Sequence, residues 1–337
     1  MHRETAKRIL YLQLILLLPL SLLALCIGTE PSSISDALQA LLGRADNTEQ
    51  LIIRDIRLPR LLLAILVGAM LASCGTASQG LFRNPLADPS LIGVSAGASM
   101  GASLCIVFAA AVLDVPLSFL LIALSAFLGG ALASFLVYRL SLGDYGTSVA
   151  MMLLAGIAVS ALAGAISSFS EFYSDNEQLR RISIWQMGNL SGSSSMQRWS
   201  LFALLVAVLF FLQINAQRLN ALLLGESEAR HLGVNVDGLK VLVVLLIAAG
   251  LGLSVALAGI ISFIGLVVPH IMRLLIGPDH RFLIVNSALG GALLLLLADT
   301  LARTIVLPTE LPVGVLTALL GAPFFLVLLR SKRQKIL

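Results

Sequence analysis

Residues 57–101 read RLPRLLLAILVGAMLASCGTASQGLFRNPLADPSLIGVSAGASMG, and this stretch decides the fold. Arg57 and Arg60 stand one helical turn apart, and the chain then runs apolar from Leu61 to Leu81. About 20 such residues make roughly 30 Å of helix, enough to cross the hydrocarbon core of a bilayer. Arg83-Asn84-Pro85-Leu86-Ala87-Asp88-Pro89 follows, where two prolines forbid a continuing helix. A second apolar helix then opens with small residues, Gly93, Ser95, Ala96, Gly97, Ala98, Ser99 and Gly101. Small side chains let backbones approach closely where lipid gives helices no hydrophobic reason to associate. The stretch is expected to be a tightly packed membrane hairpin.

Working outward, the whole chain has the same character. Its 337 residues are 58% hydrophobic and 12% charged, with a mean hydropathy of +0.98. Soluble domains carry about a quarter charged residues, so that class is excluded. Cys26, Cys74 and Cys105 lie inside apolar runs without metal or redox spacing and read as packing residues. The first apolar run, Ile9 to Gly28, follows Arg3, Lys7 and Arg8; it is long for a signal peptide and lacks a small-x-small cleavage site. It reads as a retained span. A polar segment of about thirty residues after it reads as an external loop with short helical pieces.

Further spans are expected at 61–81, 91–112, 116–138, 147–169, 199–215, 239–258, 260–276, 281–302 and 312–329, making ten in an all-α membrane protein of one domain, 1–337. An even count puts both termini on one side. With that side cytoplasmic, most of the 22 Lys and Arg fall there, as the positive-inside rule asks. Ser90-Leu91-Ile92-Gly93 and Ser262-Phe263-Ile264-Gly265 echo each other five spans apart, a hint of the inverted repeat common in transporters. Glu171 to Ser195 is polar but holds Ile182, Ile184, Trp185 and Met187, which suggests an amphipathic helix at the outer interface.

The longest cytoplasmic loop, 216–238, is where a partner should dock. Gly225-Glu226-Ser227-Glu228-Ala229-Arg230-His231-Leu232-Gly233 reads as a short helix, with acids at its N-terminus and a glycine to stop it. No P-loop is present: none of Lys7, Lys240, Lys332 and Lys335 follows a glycine, so ATP is not hydrolysed on this chain. His2, His231, His270 and His280 show no zinc-type pairing, so no metal site is expected. Two intramembrane polar residues leave alternatives open. Asp299 is either a functional acid or one half of an i, i+4 pair with Arg303. His270, after Pro269, is either a packed histidine or a ligand for haem iron.

Eight blocks, in order, resemble the permease family of the vitamin B12, iron-siderophore and haem ABC importers. They are RLPR (57–60), NPLADPSLIG (84–93), GVSAGA (93–98), WQMGNL (185–190), LGESEARHLGV (224–234), ISFIGLVVPHIMR (261–273), LLLADTLAR (295–303) and ELPVGVLTALLGAPFF (310–325). The resemblance implies a type II importer permease fold in the bacterial inner membrane, acting as a homodimer by alternating access. It implies two ATPase subunits, which bind the ATP and Mg, and a periplasmic binding protein; no cofactor on this chain and no nucleic-acid partner are expected. Gly225, Glu226, Glu228, Ala229, Arg230, Leu232 and Gly233 would couple to the ATPase. Arg57, Arg60 and Arg303, expected to be exposed on the outer face, would grip acids of the binding protein. Thr147, Ser148, Met151, Met152 and Ser160, with Ser167 and Ser168, would form a gate and a mostly neutral wall. The implied cargo is an iron complex, haem or a ferric siderophore, with cobalamin as the alternative. An ion-coupled secondary transporter would want several buried acids, and a membrane enzyme a polar catalytic cluster; neither is visible.

Overall fold

The structure, a computed structural model, describes residues 2–28, 32–109, 115–143, 146–306 and 309–333. In chain order come α1 (His2–Cys26), α2 (Ile34–Leu41), α3 (Asn47–Gln50), α4 (Leu58–Leu81), α5 (Val94–Phe108) and α6 (Val115–Ser141). A two-residue ribbon, β1 (Leu142–Gly143) with β2 (Gly146–Thr147), leads to α7 (Val149–Phe172). Then follow α8 (Asn176–Gln186), α9 (Ser195–Ile214), α10 (Ala216–Leu224), α11 (Glu226–His231), α12 (Val236–Ala258), α13 (Ile264–Ile276), α14 (His280–Ala302) and α15 (Val313–Arg333). Among the described residues seven helical stretches are long and apolar enough to cross a membrane. Three shorter apolar helices, Val94–Phe108, Ile264–Ile276 and Val313–Leu328, bring the number to the ten expected. The basic C-terminal tail from 334 lies outside the described residues.

The start of α4 departs from expectation. Arg57 does not open a helix after a loop; a π-helical stretch, Leu51–Arg57, joins α3 to α4 so that helix is continuous from Asn47 to Leu81. Pro59, in the first turn of α4, has no N–H to donate. The wider π turn, in which Leu58 N–H bonds the carbonyl of Ile53, absorbs that gap without breaking the helix. The hairpin after α4 behaves as its prolines require. Asp88 caps a short 3₁₀ turn, Pro89–Ile92, and Gly93 at φ 81° turns the chain into α5.

The small residues set the packing. A Cβ at Gly68 of α4 would run into the carbonyl of Gly291 on α14, and one at Gly97 of α5 into the carbonyl of Gly129 on α6. These are backbone-to-backbone crossings of the kind membrane helices use in place of hydrophobic attraction. The echo between residues 90–93 and 262–265 has a structural counterpart. α5, α6 and α7 pack together, as do α13, α14 and α15. The leading helix of each set crosses over: α4 packs on α13 and α14, α12 packs on α5 and α6, and α4 meets α12 between them. α8, capped by a reciprocal Asp175–Gln178 box, is the amphipathic helix, with Ile182 buried and Trp185 half-buried. Its end knits to both halves: Gln186 donates to Ser99 Oγ of α5 at 3.2 Å, Asn189 N–H bonds Ala258 O, and Gly314 abuts the carbonyls of Met187 and Ile260.

Candidate functional site

At one end of the bundle lie the three arginines. They are not exposed: Arg57 is 5%, Arg60 7% and Arg303 4% accessible. The reason is α1. A helix C-terminus leaves carbonyls without intrahelical partners and carries negative dipole, and two of the arginines supply what α1 lacks. Arg57 donates to Leu25 O (2.7 Å) and Cys26 O (3.3 Å); Arg303 donates to Ala24 O (3.0 Å) and Ile27 O (3.2 Å). Arg60 instead meets acid. Its Nε donates to Asp299 Oδ1 at 2.9 Å, and its Nη1 to Glu310 Oε2 at 2.5 Å and Ser191 Oγ at 3.1 Å. Asp299, wholly buried, also lies 3.4 Å from Arg303, so the i, i+4 pairing is the reading the structure supports. The cluster borders a pit of about 270 Å³ whose walls include Gly28, Arg57, Arg60, Arg303 and the half-exposed Glu310. Glu310, inside a block read from sequence, was not singled out there.

At the opposite end α10 and α11 form the loop expected to dock a partner. Gly225 at φ 132° and Gly233 at φ 82° bracket α11, conformations L side chains rarely adopt. Ala229 is buried, fixing one face, while Glu228, Arg230 and Leu232 are exposed, Leu232 at 65%. Glu226 is half-buried and held: Lys240 Nζ donates to its Oε2 at 2.7 Å, and Arg83 lies 3.9 Å away. Arg230 pairs Asp237 at 3.0 Å. Lys240, which the sequence reading passed over except to exclude a P-loop, is 0% exposed and donates its other bond to Thr147 O at 2.5 Å. α10 is pinned to α14 through Asn220, which donates to Asp279 and accepts from His280 N. Asp279 caps α14, and the Arg281 guanidinium beside it holds its carboxyl down to about 2.

The residues expected at the gate divide. Ser148 caps α7 by accepting from Met151 N, and Met151 is exposed; Ser160 is half-buried and Ser168 exposed. Thr147, Met152 and Ser167 are buried, so they do not contribute to the exposed flank of α7. The reason is helical phase: Met151, Leu154, Ile157, Ala161 and Ser168 share the open side, while Met152, Val159 and Ala163 turn inward. His270 is buried on α13 at 5%, and among the described residues no three His, Cys, Asp or Glu gather as a metal group.

Known proteins resemble this chain. The FecCD transport family matches residues 15–331. The hemin transport system permease protein HmuU of Yersinia pestis is 48% identical over 83% of this chain and 84% of its own length. The cobalamin import system permease protein BtuC of Halobacterium salinarum is 43% identical over 86% of this chain and 76% of its own. A solved structure described as an inward-facing metal-chelate type ABC transporter superposes with a TM-score of 0.83 at 34% identity, covering 96% of this chain and 99% of its own.

Proposed function

Because the chain belongs to the FecCD transport family, we propose that this multi-pass permease of an ATP-binding-cassette importer carries an iron complex, haem first, from a periplasmic binding protein to the cytoplasm. The observation that carries the cargo is the 48% identity to a haemin permease, against 43% to a cobalamin permease. Cobalamin is the second reading, favoured by the presence of such relatives. Two copies would pair along the open flank of α7 and enclose a path between them, in the bacterial inner membrane with both termini cytoplasmic. Two ATPase subunits, holding ATP and Mg, would dock on α10 and α11. The loop's chemistry supports this: α11 is short, bracketed by two glycines, and presents Glu228, Arg230 and Leu232 outward.

The arginine end would face the binding protein. Its role is narrower than exposed arginines would allow, since Arg57 and Arg303 are engaged with α1. Arg60 is the one whose second acid, Glu310, is partly in solvent and could yield to an acid from a partner. A gradient-driven carrier needs an acid free to bind and release its ion; Asp299 is held between two guanidiniums. The test is uptake by proteoliposomes holding the chain, its ATPase and its binding protein, with haemin, a ferric siderophore and cobalamin offered separately. Preferential ATP-dependent haemin uptake is the expected result. Uptake of cobalamin alone would move the assignment to the second reading.

A further inference from the structure

Lys240 is the most completely buried cation in the described structure, and it stands near the N-terminal end of α12, where the helix dipole disfavours positive charge. A buried ammonium is strongly unfavourable unless paired, and an apolar side chain would pack there without that cost. Its two hydrogen-bond partners explain its presence. One is Glu226, the first residue of α11; the other is the carbonyl of Thr147, immediately before the residue that caps α7. One ammonium therefore joins the docking helix to the start of the path-flanking helix, although the two are nearly eighty residues apart in sequence. A second contact runs beside it. Arg230 of α11 pairs Asp237, whose Oδ1 lies so near Gly146 that a Cβ there would come within 2.5 Å. The 146–147 segment is thus bonded by α12 on one side and backed by it on the other, and both contacts lead to α11. Arg83, after α4, adds a second anchor to Glu226.

We propose that Lys240 is the positioning residue through which a displacement of α11 reaches the start of α7. The inference rests on the reading that α11 docks the ATPase and that α7 flanks the path. When α11 moves, Glu226 carries the ammonium, and the ammonium carries the Thr147 carbonyl and the first turn of α7. Without the ammonium the two helices would respond separately.

The experiment uses the chain assembled with its ATPase and binding protein in proteoliposomes, with Met151→Cys carrying a spin label in each copy. Lys240→Met should leave the ATPase bound and its hydrolysis near the wild-type rate. Haemin uptake should fall about tenfold or more, within the range a coupling between sites spans. The label-to-label distance should stop responding to nucleotide. Lys240→Arg, which keeps a buried donor and charge, should restore both readouts in large part. Adding Glu226→Gln to Lys240→Met should cost nothing further, since both act through one link. If Lys240→Met does not accumulate in the membrane, Lys240→Gln, uncharged and shorter but still a hydrogen-bond donor, should show the same separation of hydrolysis from uptake. Normal uptake with a normal nucleotide-dependent distance in either variant overturns the proposal. A wild-type chain that retains no ATPase overturns the docking reading and this inference together.

Discussion

Single residues in this protein are decided by where charge can be buried. Asp299 compensates Arg60 and Arg303 at once, so Asp299→Asn leaves two buried guanidiniums short of an acid. Removing one partner of a buried pair costs on the order of 3–5 kcal/mol, and the variant should show a markedly lower unfolding temperature in detergent. Glu310→Gln is different, because its carboxylate is 40% exposed and solvent-screened, so stability should shift by less than about 1 kcal/mol. It should instead tighten binding-protein association, most at low salt, by freeing the outer face of Arg60. An unchanged affinity would make Arg60 purely structural. Asp279 gives a pH signature. Its carboxyl, lowered from 3.8 to about 2 by Arg281, contributes stability that is fully present above the unfolded value and lost as pH falls towards 2. Asp279→Asn should therefore lower stability at neutral pH, change it little near pH 2, and so flatten the acid limb of a stability profile below about pH 4. The pairing of Asp299 with Arg303 was legible from their spacing. The burial of Arg57 and Arg303 was not, since their acceptors are backbone carbonyls of α1, far away in sequence and without any side-chain signature.

Among the elements, the apolar helices follow from hydropathy and length, and the hairpin from its prolines, because in lipid a backbone must satisfy its own hydrogen bonds. What hydropathy could not show was the helix continuing back through Leu51–Arg57, since polar residues there read as loop while tertiary packing buries Ile53 and Arg57. The glycine crossings were legible as small residues but not as pairs. Gly68→Leu would force a side chain into the Gly291 carbonyl and should destabilise the α4–α14 contact by more than the roughly 1–3 kcal/mol of ordinary overpacking, read as loss of folded protein in the membrane. In the 216–238 loop, Leu232→Asp changes an exposed side chain and leaves the Glu226–Lys240 link intact. It should strip the ATPase from the purified permease, whereas Glu226→Ala would disturb the loop from within. If the ATPase stays bound to Leu232→Asp with unaltered affinity, α11 is not the docking element.

For the whole molecule, two crossed helix sets carry a buried charge cluster at one end and the Lys240 node at the other. The open flank of α7, with Met151, Leu154 and Ile157 exposed, is the surface that the proposed second copy would cover. Vectorial, ATP-driven uptake is the behaviour that separates an importer permease from a gradient-driven carrier. In proteoliposomes containing the chain, its ATPase and its binding protein, haemin should accumulate inside only when ATP is present on the ATPase side, and accumulation should cease when the ATPase is left out. Haemin uptake that persists without the ATPase and follows an imposed proton or sodium gradient would contradict the importer assignment.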